Sequence, residues 1–251
     1  MKAAEPALSR RHVAARSSET DGYANSSLTG SHYRGLLRDA GIEMREYCPV
    51  SAIDHGDGGF RITTPAGPVQ ARRLLLACGA WTRPAGALLG LDLPVQARIN
   101  TVSVTERAPP LVGTVIGHAT GLLTLKQKPN GTVLIGGGWQ GRGTPQEGRG
   151  EIVTDTLLAN LRLAQFAVPA LANLRVVRSW TGFDAAVPDF YPLAGGLPGI
   201  PRGYVLACVR GGYTIGPYIG QLMGDLILGR EPELPLFDPA RFTSATTDPP
   251  S

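Results

Sequence analysis

The chain has 251 residues, 43% hydrophobic and 18% charged, with a formal net charge of +4, enough for one large core or two modest domains. Its 33 glycines and 21 prolines follow no repeat period, which excludes a fibrous chain. The cations are nearly all arginine and scattered, with no basic stripe interleaved with aromatics, so nucleic acid is not an expected partner; no apolar run is long enough to span a membrane.

Met1 to Thr20 is irregular and basic, and Asp21-Gly22-Tyr23-Ala24-Asn25 reads as a turn. Ser26 or Ser27 can cap a helix from about Leu28 to Ala40, with Tyr33, Leu36, Leu37 and Ala40 inward and Gly41 as its stop. Ile42 to Tyr47 reads as a strand. Val50 to Asp54 and Phe60 to Thr64 form a hairpin around His55-Gly56-Asp57-Gly58-Gly59, followed by a short strand at Val69 to Ala71. Leu74-Leu-Leu-Ala-Cys78 is continuously apolar, as expected of a strand buried on both faces, and it runs into Gly79-Ala80-Trp81.

From about Pro84 the pattern changes. Pro94 to Glu106 alternates as a long strand, and Leu122 to Gln127 and Thr132 to Gly136 make a hairpin about Pro129-Asn130-Gly131. Gly136-Gly137-Gly138 opens a polar loop through Gly150, then Glu151 to about Val168 is helical and Leu174 to Ala186 is a strand. Pro188-Asp189 and Tyr191 to Gly195 are turns. Tyr204 to Val209 is a second buried strand; Gly211-Gly212 breaks it, and Pro217 sits where a first helical turn tolerates proline. Ile219, Leu222, Met223, Leu226 and Ile227 then mark one face of a helix ending at Gly229. Gly216, Gly220 and Gly224 recur every four residues on it, each costing about 1 kcal/mol relative to alanine. Either a flat ligand or a closely packed sheet explains such a stripe. Strand, glycine turn and helix together aim the free N–H groups of the helix N-terminus at whatever binds there. The tail from Pro232 to Phe242 is apolar but broken by prolines, and the chain beyond it has the composition of a disordered end.

Cys48, Cys78 and Cys208 are odd in number and lack a CxxC spacing, which fits free thiols in a reducing, cytoplasmic compartment. No Ser/His/Asp order and no His/Cys spacing suited to a metal is present, so a metal is not expected. Strand–helix material at both ends of the chain flanks an antiparallel block. That arrangement suggests a discontinuous domain, 21–88 plus 186–230, an inserted domain, 89–185, and a tail, 231–251.

In order along the chain, several stretches resemble the D-amino-acid-oxidase-like family of FAD-dependent oxidoreductases. They are Glu5 to Ser9, Asp21 to Asn25, Pro49 to Ile53, Leu74 to Trp81, Gly131 to Trp139, Trp180 to Phe183 with Pro188-Asp189, Arg210 to Pro217, and Leu234 to Phe242. The resemblance implies an α/β fold: an incomplete Rossmann-like FAD-binding domain with an inserted α+β substrate domain. It implies FAD as cofactor and hydride transfer from the carbon next to the nitrogen of an amine or amino acid. Val50 would contact the adenine. Cys78, Gly79, Ala80 and Trp81 would flank the flavin nucleotide, and Arg210, Gly211, Gly212, Tyr213, Thr214 and Ile215 would wall the flavin N1–C2=O edge, where reduction places negative charge.

Two departures bear on function. The strand–GxGxxG–helix unit that cradles the FAD pyrophosphate is not matched, since Gly136-Gly137-Gly138 leads into a loop; the chain is expected to begin partway into the family's pattern. A second chain supplying that unit is therefore an expected partner, and a non-catalytic subunit is the rival reading. In addition, Asp184 occupies the position where family members that take amino acids carry an arginine for the substrate carboxylate. An aspartate there would repel a carboxylate and attract an amine, unless it is only a solvated strand charge. Arg210 matches a position near both flavin and substrate, its alternative being a strand-end ion pair. Trp81 and Trp180 read as core residues before pocket residues.

Overall fold

The computed structural model describes residues 5–207 and 212–242. In chain order the elements are α1 (Ser26–Asp39), β1 (Ala52–Gly56), β2 (Gly59–Thr63), β3 (Val69–Ala71), β4 (Leu74–Leu76), α2 (Thr82–Ala87), β5 (Gln96–Arg107), β6 (Ile116–Gly117), β7 (Thr124–Gln127), β8 (Thr132–Gly136), β9 (Arg142–Thr144), β10 (Arg149–Glu151), α3 (Thr154–Ala167), β11 (Val176–Ala186), β12 (Leu193–Gly196), β13 (Gly203–Ala207) and α4 (Gly212–Ile227). They divide between two compact units, Met1–Met44 with Ile99–Gly182, and Arg45–Arg98 with Phe183–Ser251.

The first unit is built on a five-stranded sheet of order β11-β5-β8-β7-β6. Leu125, Val133 and Ile135 point to one face and form its core with Ala164, Ala167 and Val168 at the end of α3. Asn160 carries that helix onto the sheet: its buried Nδ2 donates to the Gly136 carbonyl at 3.0 Å and to the Leu122 carbonyl at 3.3 Å. The glycine run after β8 serves close packing. Gly137 has φ +129°, and a Cβ there would strike the Leu122–Leu123 backbone. The chain then enters the β9–β10 ribbon and not a helix, as the polar loop led us to expect. Residues near the start are tied in as well. Glu5 is buried, and its Oε2 accepts from Gly113 N at 2.9 Å, Thr114 N at 3.0 Å and Thr114 Oγ1 at 2.9 Å. Ser9 N donates to the Ala167 carbonyl at 2.8 Å.

Two expectations fail in this unit and its border. Helix α1 forms, capped by Asn25 Oδ1 on Leu28 N and ended by Gly41 at φ +70°, but it buries none of its residues. Tyr33, Leu36 and Leu37, expected inward, are 46%, 49% and 37% exposed. Ile42 to Tyr47 forms no strand; Ile42 and Met44 are exposed and no ladder partner exists for them among the described residues. Both sequences carry the right apolar pattern but find no apolar surface or strand edge to complete it.

The second unit holds two three-stranded sheets. Strands β1, β2 and β3 form an antiparallel meander that turns Ile53 and Phe60 inward. In the other sheet β13 is central, antiparallel to β12 and parallel to β4. Val205 and Ala207 of β13 and Leu193 of β12 are fully buried in its core. Strand β4 is an edge, ends at Leu76, and leaves Leu75 39% exposed, so the expectation of burial on both faces does not hold.

Helix α4 packs Ile219, Leu222 and Met223 inward, with Ala194 of β12 and Tyr204 and Leu206 of β13 in the same cluster. It starts at Gly212, not at Pro217 as the proline suggested, so Pro217 lies inside the helix and removes one main-chain bond. Burial two to six residues further on fixes the helical register and outweighs that loss. A Cβ at Gly216, Gly220 or Gly224 would meet nothing within 4 Å, which removes close packing as the explanation of the stripe. The tail runs along β12, with Ala194 N donating to the Phe237 carbonyl at 3.0 Å. Arg241 fastens it: its Nε donates to Asp189 Oδ2 at 2.8 Å, Nη2 to the Pro192 carbonyl at 2.9 Å and Nη1 to the Phe237 carbonyl at 2.9 Å. No helix among the described residues is long and apolar enough to cross a membrane.

Candidate functional site

The parallel pair β4–β13 organises the second unit's candidate site. Gly203 faces Leu74 and Val205 faces Leu76, so both strands leave the sheet at the same edge, their carboxyl ends. In sheets of this kind ligands bind outside the carboxyl ends of the strands. Past β4 the chain runs through Cys78 into a single 3-10 turn, Gly79–Trp81, and on into α2; past β13 it runs through residues 208–211 into α4.

The turn after β4 is shaped by Gly79. Its φ is +54°, a region that costs a side-chain-bearing residue strain, and the space where a Cβ would stand is open. Trp81 N donates to the Cys78 carbonyl at 2.9 Å and Thr82 Oγ1 to the Gly79 carbonyl at 2.8 Å, so the turn is held by its own polar groups. Ala80 is buried and offers only backbone. Burial pushes the Cys78 thiol up, against a smaller opposing pull from the Ala77 backbone, so it stays protonated and is no nucleophile. Trp81 is neither core nor free: its ring meets Phe183 edge-on at 5.2 Å and 68° while 43% of the residue is exposed.

On the second exit, Gly212 is the first residue of α4 and Tyr213, Thr214 and Ile215 complete its first turn. Those three are exposed, Tyr213 by 55%, and they form the first turn of a 16-residue helix, the end at which a helix carries free N–H groups. Arg210 and Gly211 lie outside the described residues. Val50 is exposed just before β1. Asp184 is partly buried on β11, and its Oδ1 accepts from Ala185 N at 2.8 Å. Alternation along the strand points it away from the Trp81–Phe183 contact.

The structure therefore brings together Cys78, Gly79, Ala80, Trp81 and Gly212 to Ile215 at one edge. Val50 lies before β1 and Asp184 on β11. Among the described residues no group of three or more metal-ligating side chains occurs. The site offers backbone donors, a helix N-terminus, an aromatic ledge and side-chain-free glycines, a set that suits a flat ligand carrying negative charge on one edge. FAD fits this description on its flavin side. Phe183 as the partner of Trp81 was missed in the sequence, although its place in Trp180-Thr-Gly-Phe183 was a signal. The Arg241–Asp189 clamp was missed too, because 52 residues separate its members.

The family model for FAD dependent oxidoreductases (DAO) matches residues 1–226. An opine oxidase subunit of Agrobacterium tumefaciens is 27% identical over 224 residues, covering 88% of this chain and 57% of that protein. Glycine oxidase of Pseudomonas aeruginosa is 28% identical over 224 residues, covering 88% of this chain and 59% of that protein. The solved structure of L-proline dehydrogenase from P. horikoshii superposes with a TM-score of 0.84 at 22% identity, over 96% of this chain and 66% of that one, a likeness of fold. The chain thus spans less than two thirds of the length of the curated relatives it matches.

Proposed function

The chain belongs to the family of FAD-dependent oxidoreductases, and from that premise we propose that it supplies the flavin wall and the substrate cover of an enzyme oxidising the carbon–nitrogen bond of an amine or amino acid. The observation that carries the proposal is the shared sheet edge at which the Gly79 turn and the first turn of α4 both open. FAD supplies the hydride acceptor. The protein's part is to bind, orient and tune.

In this reading the α4 N–H groups and dipole stabilise the negative edge of the reduced cofactor. Gly79, with its open Cβ position, lets the backbone approach the cofactor, Trp81 forms a ledge beside it, and Val50 contacts the adenine. Arg210 and Asp184 are assigned to the substrate, Asp184 as the partner of its amine. The unit containing β4 and β13 is the cofactor half and the unit with the five-stranded sheet is the substrate half. The partly buried free thiols Cys48 and Cys78 support a reducing, cytoplasmic setting.

A strand–GxGxxG–helix unit is not contained in these residues, and we place it on a longer form of the chain or on a second chain. The open edge of β4 and the uncovered apolar face of α1 support this. The relative from Agrobacterium is itself named as a subunit. The rival reading, a non-catalytic partner subunit, draws on the same two surfaces.

Expression with and without such a unit tests the proposal. Residues 1–251 alone should be poorly soluble, or bind FAD weakly and below one equivalent. Adding the unit, in cis or as a second chain, should give soluble yellow protein whose flavin is bleached anaerobically by an amine or amino acid. A monomeric 1–251 chain with one tightly held FAD would overturn the need for a complement. Yellow complemented protein that no amine or amino acid reduces would overturn the catalytic reading in favour of the rival.

A further inference from the structure

The sequence contains only three lysines, Lys2, Lys126 and Lys128, among 24 cationic residues. Two of the three stand two residues apart at the end of β7. Both ammonium groups lie over one ring, that of Tyr23, at 4.8 Å and 4.4 Å from its centroid. Alternation explains why they share a face. Leu125, between Thr124 and Lys126, points into the core under α3, so Lys126 points to the other side of the sheet. Its cross-strand neighbour there is Leu134, and beyond that Val104, both partly buried. The floor beside the ammonium groups is therefore apolar.

Two like charges gathered on an aromatic ring need a counter-charge, because the ring face offsets only part of their repulsion. Among the described residues no side chain supplies one, since the ion pairs involve neither lysine. Glu106, within the irregular stretch of β5 between Val104 and Arg107, has Oε1 turned to Arg175 N at 2.9 Å. Burial first, and the Lys128 charge second, hold the Lys126 ammonium below the usual lysine range, which is the direction an unmet positive charge produces.

We propose that Lys126 and Lys128, gathered on Tyr23 at the face of the five-stranded sheet opposite α3, form an anion site for a carboxylate. The assignment rests on the chemistry of the cluster alone, two ammonium groups gathered on one ring beside an apolar floor. Lysine suits the task as a compact charge on a flexible stem, and the apolar floor accepts the carbon skeleton behind the carboxylate.

The test uses the full chain, with its complement if that is needed for solubility, and oxalate as probe. A limiting dose of an amine-reactive reagent, read by peptide mass mapping, should label Lys126 faster than Lys2, and oxalate should protect it. In calorimetric titration at constant ionic strength, Lys126→Met should weaken oxalate about tenfold, as loss of a charge-assisted contact does. Lys126→Arg and Tyr23→Phe should keep most of the affinity. Unchanged oxalate binding in the Lys126→Met, Lys128→Met double variant overturns the proposal. So does equal binding of inorganic phosphate, which would mark an unselective pair of cations. Neither readout depends on flavin reduction, so failure here and failure of the oxidoreductase reading are distinguishable.

Discussion

Helices α1 and α3 are both 14 residues long, yet α3 buries Asn160, Ala164 and Ala167 and α1 buries nothing. The same contrast separates the sheets. In the first unit's sheet Leu125 and Val133 are fully buried and α3 closes their face, whereas β4 of the second unit ends its sheet with Leu75 exposed. The difference is one of partners and not of pattern. An apolar stripe or a strand edge yields stability only when a matching surface is present, and among the described residues α3 has one and α1 has none.

The largest test of this contrast is in the cores. Leu125→Ala should cost about 2–5 kcal/mol in denaturant unfolding. Leu36→Ala on α1 should fall within about 0.5 kcal/mol of wild type, as at other exposed positions. Supplying the complementary unit should raise the cost of Leu36→Ala. If it does not, α1 is not a docking face. Next in size is Glu5→Ala, which leaves the Gly113 and Thr114 donors without their acceptor and should cost about 1–3 kcal/mol in thermal unfolding. A neutral Glu5→Ala would mean that water replaces the carboxylate at no cost.

The glycine stripe gives a smaller effect, of opposite sign in two measurements. Gly220→Ala has room for its methyl group and should stabilise the chain by about 0.5–1 kcal/mol. It should weaken the binding of FAD or of the complement if that face is covered in the assembled enzyme. Gly216→Leu should harm FAD binding more than Gly224→Leu, because Gly216 lies near the helix start. Equal losses would assign the stripe to a protein partner.

The smallest effect is electrostatic. The Arg241 hydrogen bond holds the Asp189 carboxyl below the usual range. A depressed folded value means that the pair stabilises the chain above the unfolded carboxylate value of about 3.9, and that this gain is lost as pH falls through the lower folded value. Both side chains are partly exposed, so Asp189→Asn should cost only about 0.2–1 kcal/mol at neutral pH, shrinking in acid. A cost that grows in acid would contradict the assignment.

Local chemistry was legible in the sequence where it decides structure locally. Asn130-Gly131 gave the β7–β8 hairpin, with Gly131 at φ +88°, and the apolar periodicity gave the buried face of α4. The start of α4 was not legible, since Gly212, Gly216 and Pro217 all read as breakers and only burial of Ile219, Leu222 and Met223 overrules them. Nor was the failure of Ile42 to Tyr47 as a strand, because its pattern is sound and the fault lies in an absent neighbour. Of the candidate site, the glycine turn and helix start could be named from the sequence. The Tyr23–Lys126 cluster could not, because its members come from distant parts of the chain.

The parallel pairing of β4 with β13 has a consequence for synthesis on the ribosome. β4 emerges early and must wait for β13 until the whole intervening block has been made. Closing so long a flexible loop would be slow and entropically costly. The block itself shortens the path. Its ingoing strand β5 and outgoing strand β11 are neighbours in one sheet, with Ser103 bonded to Ser179 and Glu106 to Arg175, so the two run in opposite directions. Once folded, it returns the chain to within about 5 Å of where it left. The inserted sheet thus acts as a splint during translation. A pulse-labelled nascent chain should therefore show protection of β5 and β11 before that of β4.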